Sequence, residues 1–82
     1  MFTVYVLYSE NFNKIYIGFT SNLEQRLLSH NRLGKKGWTV KFRPWTLIHT
    51  EEFDEKKDAM RREKQLKSSR GRDWIRKILL KQ

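Results

Sequence analysis

Cysteine is absent from this 82-residue sequence. That excludes a disulfide framework and a thiolate-bound zinc, and it fits a reducing cytoplasm. No apolar run approaches the ~20 residues that span a bilayer. The N-terminus lacks the basic segment, apolar run and small-residue cleavage site of a secretion signal, so a cytoplasmic location is expected. Internal repeats, low-complexity segments and composition shifts are missing as well. At 38% hydrophobic and 13% aromatic, the chain is too apolar to be disordered. One domain over residues 1–82 with a modest core is expected. The sequence contains no P-loop and no Ser-His-Asp pattern.

Acidic residues are scarce: 18 Lys and Arg face 9 Asp and Glu, a formal charge of +9. The imbalance is segregated. Residues 31–44 hold Arg32, Lys35, Lys36, Lys41 and Arg43 with no acid, and residues 64–82 hold seven bases against Asp73 alone. Between them, residues 45–63 are slightly acidic. Two separate basic blocks form an electrostatic footprint for a polyanion, with nucleic acid the first candidate. The plainer alternative is a solvated surface that only aids solubility.

Phe2 to Ser9, rich in Val, Tyr and Phe, reads as a strand. Its apolar residues fall on both faces, which points to an interior position in a sheet. The turn chemistry of residues 10–13 leads into a second strand, Lys14 to Phe19. An even-numbered loop in this hairpin puts Tyr5 and Tyr16 on one face, because side chains alternate with period two. Gly18, at the strand end, permits a bend or a close backbone approach. Ser21 and Glu24 fit a capping box for a helix over 22–31, with Leu23, Leu27 and Asn31 facing inward and Arg26 and His30 sharing the adjacent face. The basic stretch 32–44 reads as a long loop. Trp38 and Phe42 there either stack on bases or pack over the core edge. A third strand is expected over Trp45 to Thr50. A helix capped by Asp54 follows, reaching Ser68 or Ser69, with Ala59, Met60, Leu66 and Lys67 facing inward. A last helix, capped by Asp73, would bury Trp74, Ile75, Ile78 and Leu79. The expected fold is α/β (α+β): a three-stranded sheet flanked by helices in the order β-β-α-β-α-α.

Glu63 stands out because it falls on the inner stripe with Ala59 and Leu66. A carboxylate there needs a compensating cation or metal. It either pairs with Arg61, Arg62 or Arg26, or it marks a cleft.

Together these residues resemble the GIY-YIG nuclease superfamily. Tyr16-Ile17-Gly18 keeps the second half of its signature, and Thr3-Val4-Tyr5 stands where the first half has Gly-Ile-Tyr. Arg26 and His30 follow at the family's spacing, and Glu63 begins a basic helix continuation with Lys64 and Lys67. The similarity spans nearly the whole chain, which looks like a small stand-alone bacterial member similar to the nuclease domain of excision-repair enzymes. Phe19 departs from members that carry lysine or another polar residue after the glycine.

The resemblance implies a divalent-metal-dependent endonuclease that hydrolyses DNA phosphodiester bonds, in repair or recombination. The catalytic set it implies is Tyr5, Tyr16, Arg26, His30 and Glu63. Glu63 would be the sole protein ligand of Mg²⁺ or Mn²⁺, with waters and phosphate oxygens completing the shell. Arg26 would hold the scissile phosphate through a forked contact. Tyr16 would act as general base, helped by nearby positive charge because a free phenol ionises near pH ~10. Tyr5 would support the site by hydrogen bonding or by packing, and His30 would move a proton or orient Tyr5. Arg32, Lys35, Lys36, Trp38, Lys41, Arg43, Lys64 and Lys67 are the candidate nucleic-acid contacts, with DNA the first partner. One small site leaves the second cut of a duplex to a protein partner or a homodimer. The alternative is a binding module or docking subunit on the same fold with weak or no cleavage.

Overall fold

The computed structural model describes residues 1–33 and 37–82; Lys35 and Lys36 lie outside the described residues. Three antiparallel strands, β1 (Phe2–Ser9), β2 (Lys14–Thr20) and β3 (Thr46–Phe53), form a sheet in the order β2-β1-β3. β1 is therefore central, as its two apolar faces require. The hairpin pairs Ser9 with Lys14 across a four-residue turn and sets Leu7 opposite Tyr16 and Tyr5 opposite Gly18. That register puts Tyr5, Leu7 and Tyr16 on one face of the sheet, and Val4, Val6, Ile15 and Ile17 on the other.

Each face has its own cover. α2 (Lys56–Lys67) and α3 (Ser69–Trp74) pack Ala59 and Leu66, together with Ile75 just beyond α3, against Val4, Val6, Ile15 and Ile17. The opposite face is covered by α1 (Leu23–Leu28) and by a short 3-10 turn, Trp38–Phe42. Here the buried residues are Tyr5, Leu7 and Trp45, with Tyr16, Leu23, Leu27 and Phe42 packed around them.

Several local expectations are corrected. The first helix is capped by Asn22, not Ser21: its Oδ1 accepts from the Gln25 amide at 3.1 Å. Ser21 is instead left exposed one position ahead of the cap. β3 runs on to Phe53, because pairing with β1 continues to Phe2, and a register shift opposite Val6 and Leu7 leaves Ile48 as an extra, unpaired residue of a β-bulge. α2 begins after Glu55 and uses no side-chain cap, so Asp54 does not fill that role. Met60 and Lys67 face outward, since the inner stripe narrows to Ala59 and Leu66.

The final helix is capped by Ser68, whose Oγ accepts from the Gly71 amide at 3.2 Å. Asp73 lies inside it and pairs with Lys77. Trp74 and Ile78 turn outward while Ile75 is fully buried. Gly71 lets α3 fold back onto α2, since a Cβ there would run into the Gln65 carbonyl and the Leu66 backbone.

Candidate active site

The site is built on β1, β2 and the end of the first helix. After Leu28 the helix widens into a π-type turn, Ser29–Leu33. Such turns shift the phase of the side chains that follow. His30 is consequently buried, at 5% exposed, although Arg26 one turn earlier stays at the surface. The turn is anchored from the far side of the basic stretch. Arg43 donates from Nε to the His30 carbonyl at 2.6 Å and from its terminal nitrogen to the Ser29 carbonyl at 3.2 Å. Asn31 donates to the Trp45 carbonyl and accepts from the Trp45 amide, at 3.1 and 2.7 Å. These bonds satisfy carbonyls at a helix end and fix the loop to it.

Tyr5 is the hub. Its hydroxyl lies 3.0 Å from His30 Nε2, and its ring stacks at 6.3 Å on Tyr16. The His30 ring also meets Tyr16, with centroids 4.7 Å apart. Gly18 makes the hub possible: a Cβ there would stand 2.6 Å from the Tyr5 hydroxyl and 3.2 Å from the Tyr16 ring. The close approach that the Tyr-Ile-Gly triplet permits is thus taken up by a phenol from the neighbouring strand.

Arg26 lies near both phenols, and their influence, Tyr5 above all, strengthens its hold on its proton. Burial raises the pKa of Tyr5, and the negative charge of Glu63 pushes the same way, while Arg26 opposes both. Tyr5 therefore remains protonated at neutral pH. His30 is pushed the other way, down, by burial and by the positive charges of Arg26 and Arg43. With Tyr5 protonated and the charged form of His30 disfavoured, the Tyr5 hydroxyl can donate to His30 Nε2 while the positive charge of Arg26 acts on the phenol oxygen. In that arrangement His30 carries its own proton on Nδ1.

Glu63, on α2, is partly buried, with 21% of its side chain exposed, and pairs with Lys67 at 3.5 Å. Among the described residues no cluster of three His, Cys, Asp or Glu could chelate a metal. A lone carboxylate still suits Mg²⁺ or Mn²⁺, which bind through one or two carboxylates plus water and substrate phosphate. The donor chemistry fits.

The other sequence candidates are spread out. Trp38 lies beside the site, 6.4 Å from the Tyr16 ring and 5.7 Å from Trp45. Lys67 faces a cleft of about 490 Å³ along β2, whereas Lys64 lines a separate groove between α2 and α3. Arg32 and Lys41 are exposed, and Arg43 is engaged with the carbonyls already named. Sequence reasoning passes over Lys14, Arg72 and Arg76, which line the cleft beside Tyr16. The i, i+4 spacing of Arg72 and Arg76 is the available signal; no local pattern marks Lys14.

Comparison with known proteins identifies the family. The chain is 39% identical over 56 residues to a UPF0213 protein of Staphylococcus haemolyticus, covering 68% of each chain. It is 40% identical over 65 residues to a UPF0213 protein of Natronomonas pharaonis, covering 79% of this chain and 75% of that one. The solution NMR structure of a UPF0213 protein from Bacillus halodurans superposes with a TM-score of 0.55 at 27% identity. That match covers 92% of this chain and 82% of the other. The GIY-YIG catalytic domain matches residues 1–77. With Tyr5, Gly18, Tyr16 and Arg26 assembled around one another, the chain belongs to the GIY-YIG nuclease superfamily.

Proposed function

We propose that this protein is a divalent-metal-dependent endonuclease that hydrolyses phosphodiester bonds of nucleic acid, DNA first, in the service of repair or recombination in the cytoplasm. The observation that carries the reading is the buried Tyr5–His30 hydrogen bond beside Tyr16, with the charges of Arg26 and Glu63 acting on Tyr5. A packing cluster has no need of an arginine shared by two phenols, or of a neutral histidine buried beneath them.

Arg26 holds a non-bridging oxygen of the scissile phosphate and counters the charge that builds there. Tyr16, beside Arg26, acts as the general base that takes a proton from the attacking water. Tyr5 stays protonated and holds Arg26 and His30 in register, acting as a positioning residue. Neutral His30 orients Tyr5 and is within reach of a proton released at that hydroxyl. Glu63 would hold Mg²⁺ or Mn²⁺, which when bound neutralises phosphate charge and eases departure of the leaving oxygen. Trp38, Lys67, Lys41, Arg32 and Lys64 supply outer contacts to the polyanion, with Lys35 and Lys36 from the same basic stretch and Arg43 holding that stretch to the site. A second copy or a protein partner would provide the second cut in a duplex.

The test is cleavage of plasmid, branched and single-stranded DNA with Mg²⁺, Mn²⁺ or EDTA. Wild type is run beside Glu63→Gln and Arg26→Ala. We expect metal-dependent nicking that each substitution lowers by about 10²-fold or more, the scale of losing one transition-state contact, with unchanged melting temperatures. DNA binding without cleavage by the wild type would leave a binding module on a nuclease fold.

A further inference from the structure

β2 is an edge strand, so nothing in the sheet pairs with its outer side. Along that side Tyr16 and Trp38 from one face meet Lys67, Arg72 and Arg76 from the other, with Lys14 at the end, around the cleft of about 490 Å³. This volume falls within the range of nucleotide- and ligand-sized pockets. We propose that the cleft holds a single unpaired nucleic-acid strand leading into the site, its phosphates on Lys14, Lys67, Arg72 and Arg76 and one base against Trp38. The proposal rests on the nuclease reading and specifies the form of substrate that reaches it.

Three observations carry it. First, among the described residues the lining contains four cations and no acid. Among the described residues, Lys14, Arg72 and Arg76 have no carboxylate at ion-pair distance, and Lys67 has only the long contact with Glu63.

Second, the guanidinium groups are oriented without being neutralised. Arg76 donates to Asn13 Oδ1 at 3.0 Å, to Gln82 Oε1 at 2.9 Å and to the Asn13 carbonyl at 3.3 Å. Arg72 donates from Nε to the Lys67 carbonyl at 3.1 Å. Neutral acceptors aim these groups and leave their full charge for a phosphate.

Third, Trp38 is held ready. Its ring leans on Phe42 at 4.8 Å, on Trp45 at 5.7 Å and on Tyr16 at 6.4 Å, yet the residue is 47% exposed. A fixed aromatic ring beside a cationic track is the arrangement that stacks successive bases of a single strand. A duplex keeps its bases stacked on one another and would leave Trp38 with no base to meet. Reading a groove would also call for a projecting helix or ribbon, where this surface is concave.

The experiment is fluorescence anisotropy in EDTA, with labelled oligothymidine and its duplex with oligoadenosine, over a series of salt concentrations. Wild type, Lys14→Gln/Arg72→Gln and Trp38→Ala are compared, each with a thermal melt. Arg76 is left in place because it ties the C-terminus to the hairpin turn. The single strand should bind about ten-fold or more tightly than the duplex. The double substitution should flatten the plot of log affinity against log salt by about 0.7 per cation removed. Trp38→Ala should weaken strand binding by about ten-fold with the slope unchanged. Equal or tighter duplex binding, or an unchanged slope in the double variant, would overturn the proposal. Because EDTA removes the metal, binding is read apart from cleavage. A strand bound as expected by a protein that never cleaves refutes the nuclease reading alone, and cleavage with an unchanged slope refutes the cleft alone.

Discussion

One strand supplies both sides of this molecule, and the two sides are put to different uses. From β1, Val4 and Val6 enter an aliphatic layer with Ile15, Ile17, Ala59, Leu66 and Ile75, all close to fully buried. Tyr5 and Leu7 enter a layer that is aromatic and polar, containing Trp45 and Tyr16, with the rings of His30 and Trp38 against Tyr16. The first side resembles an ordinary interior held by area removed from water and close packing. The second contains the buried Tyr5–His30 hydrogen bond, and its two members carry opposing pKa shifts: Tyr5 up and His30 down. The lesson is a division of labour across a single sheet. Most of the buried aliphatic side chains lie on the face of β1 covered by α2 and α3. Tyr5, Tyr16 and His30 occupy the opposite face, where polar groups are held at fixed distances without opening the core, while Glu63 comes from α2 on the aliphatic side.

The comparison would break first at Leu66. This side chain is 1% exposed within the aliphatic layer, so Leu66→Ala should cost about 2–5 kcal/mol in urea unfolding. The matching change on the other side, Leu27→Ala, removes a half-buried residue and should cost clearly less. Equal costs would show that stability is shared evenly between the faces.

A smaller loss is expected at Gly18, where an added methyl must displace the Tyr5 ring. Gly18→Ala should destabilise by about 1–3 kcal/mol, the range for forcing extra volume into packed structure. It should lower cleavage further than its stability loss explains, since Tyr5 also positions Arg26. Paired with Tyr5→Leu, which removes the hydroxyl and the ring, the stability penalty of Gly18→Ala should shrink; a fully additive double mutant would contradict the assigned contact.

The smallest effect is a pH dependence. His30 binds its proton more weakly when folded than when unfolded, because burial and Arg26 and Arg43 disfavour the charged ring. The unfolded chain therefore takes up more protons just below pH ~6.5, and stability falls as pH drops from there toward the lowered folded value. The slope in that window is at most about 1.4 kcal/mol per pH unit for one group. Glu51 is pushed up by burial but brought down on balance by its hydrogen bonds to Arg62 and His49, and it adds its own loss below the ordinary carboxylate range. Urea midpoints across this range should show the upper step in wild type and not in His30→Gln; a step that persists in the variant would assign it elsewhere.

Much of the architecture is legible in the sequence because it follows from periodicity. The two-sided apolar pattern of residues 2–9 places β1 at the centre, and the even loop puts Tyr5 and Tyr16 on one face. Caps are less legible. Asn22, Ser68 and Ser21 all carry oxygens able to accept from an amide, and only the entry angle of the chain selects among them. The inner faces of the helices past residue 55 are misread at Met60, Trp74 and Ile78, because apolar type alone does not say which residues the sheet is wide enough to cover.

By itself, the sequence determined the three strands, the pairing that aligns two tyrosines, the glycine between them and a strong positive charge. Each of these depends on local spacing or on composition, which a linear chain displays. Tertiary structure alone decided that a π-type turn carries His30 inward while Arg26 stays out, that Arg43 is tied to helix-end carbonyls, and that Lys14, Lys67, Arg72 and Arg76 share one cleft. Lys14 and Arg76 are far apart in the chain and come together only when α3 folds back over α2 beside the hairpin. Such proximity arises from packing, and no window along the sequence contains it.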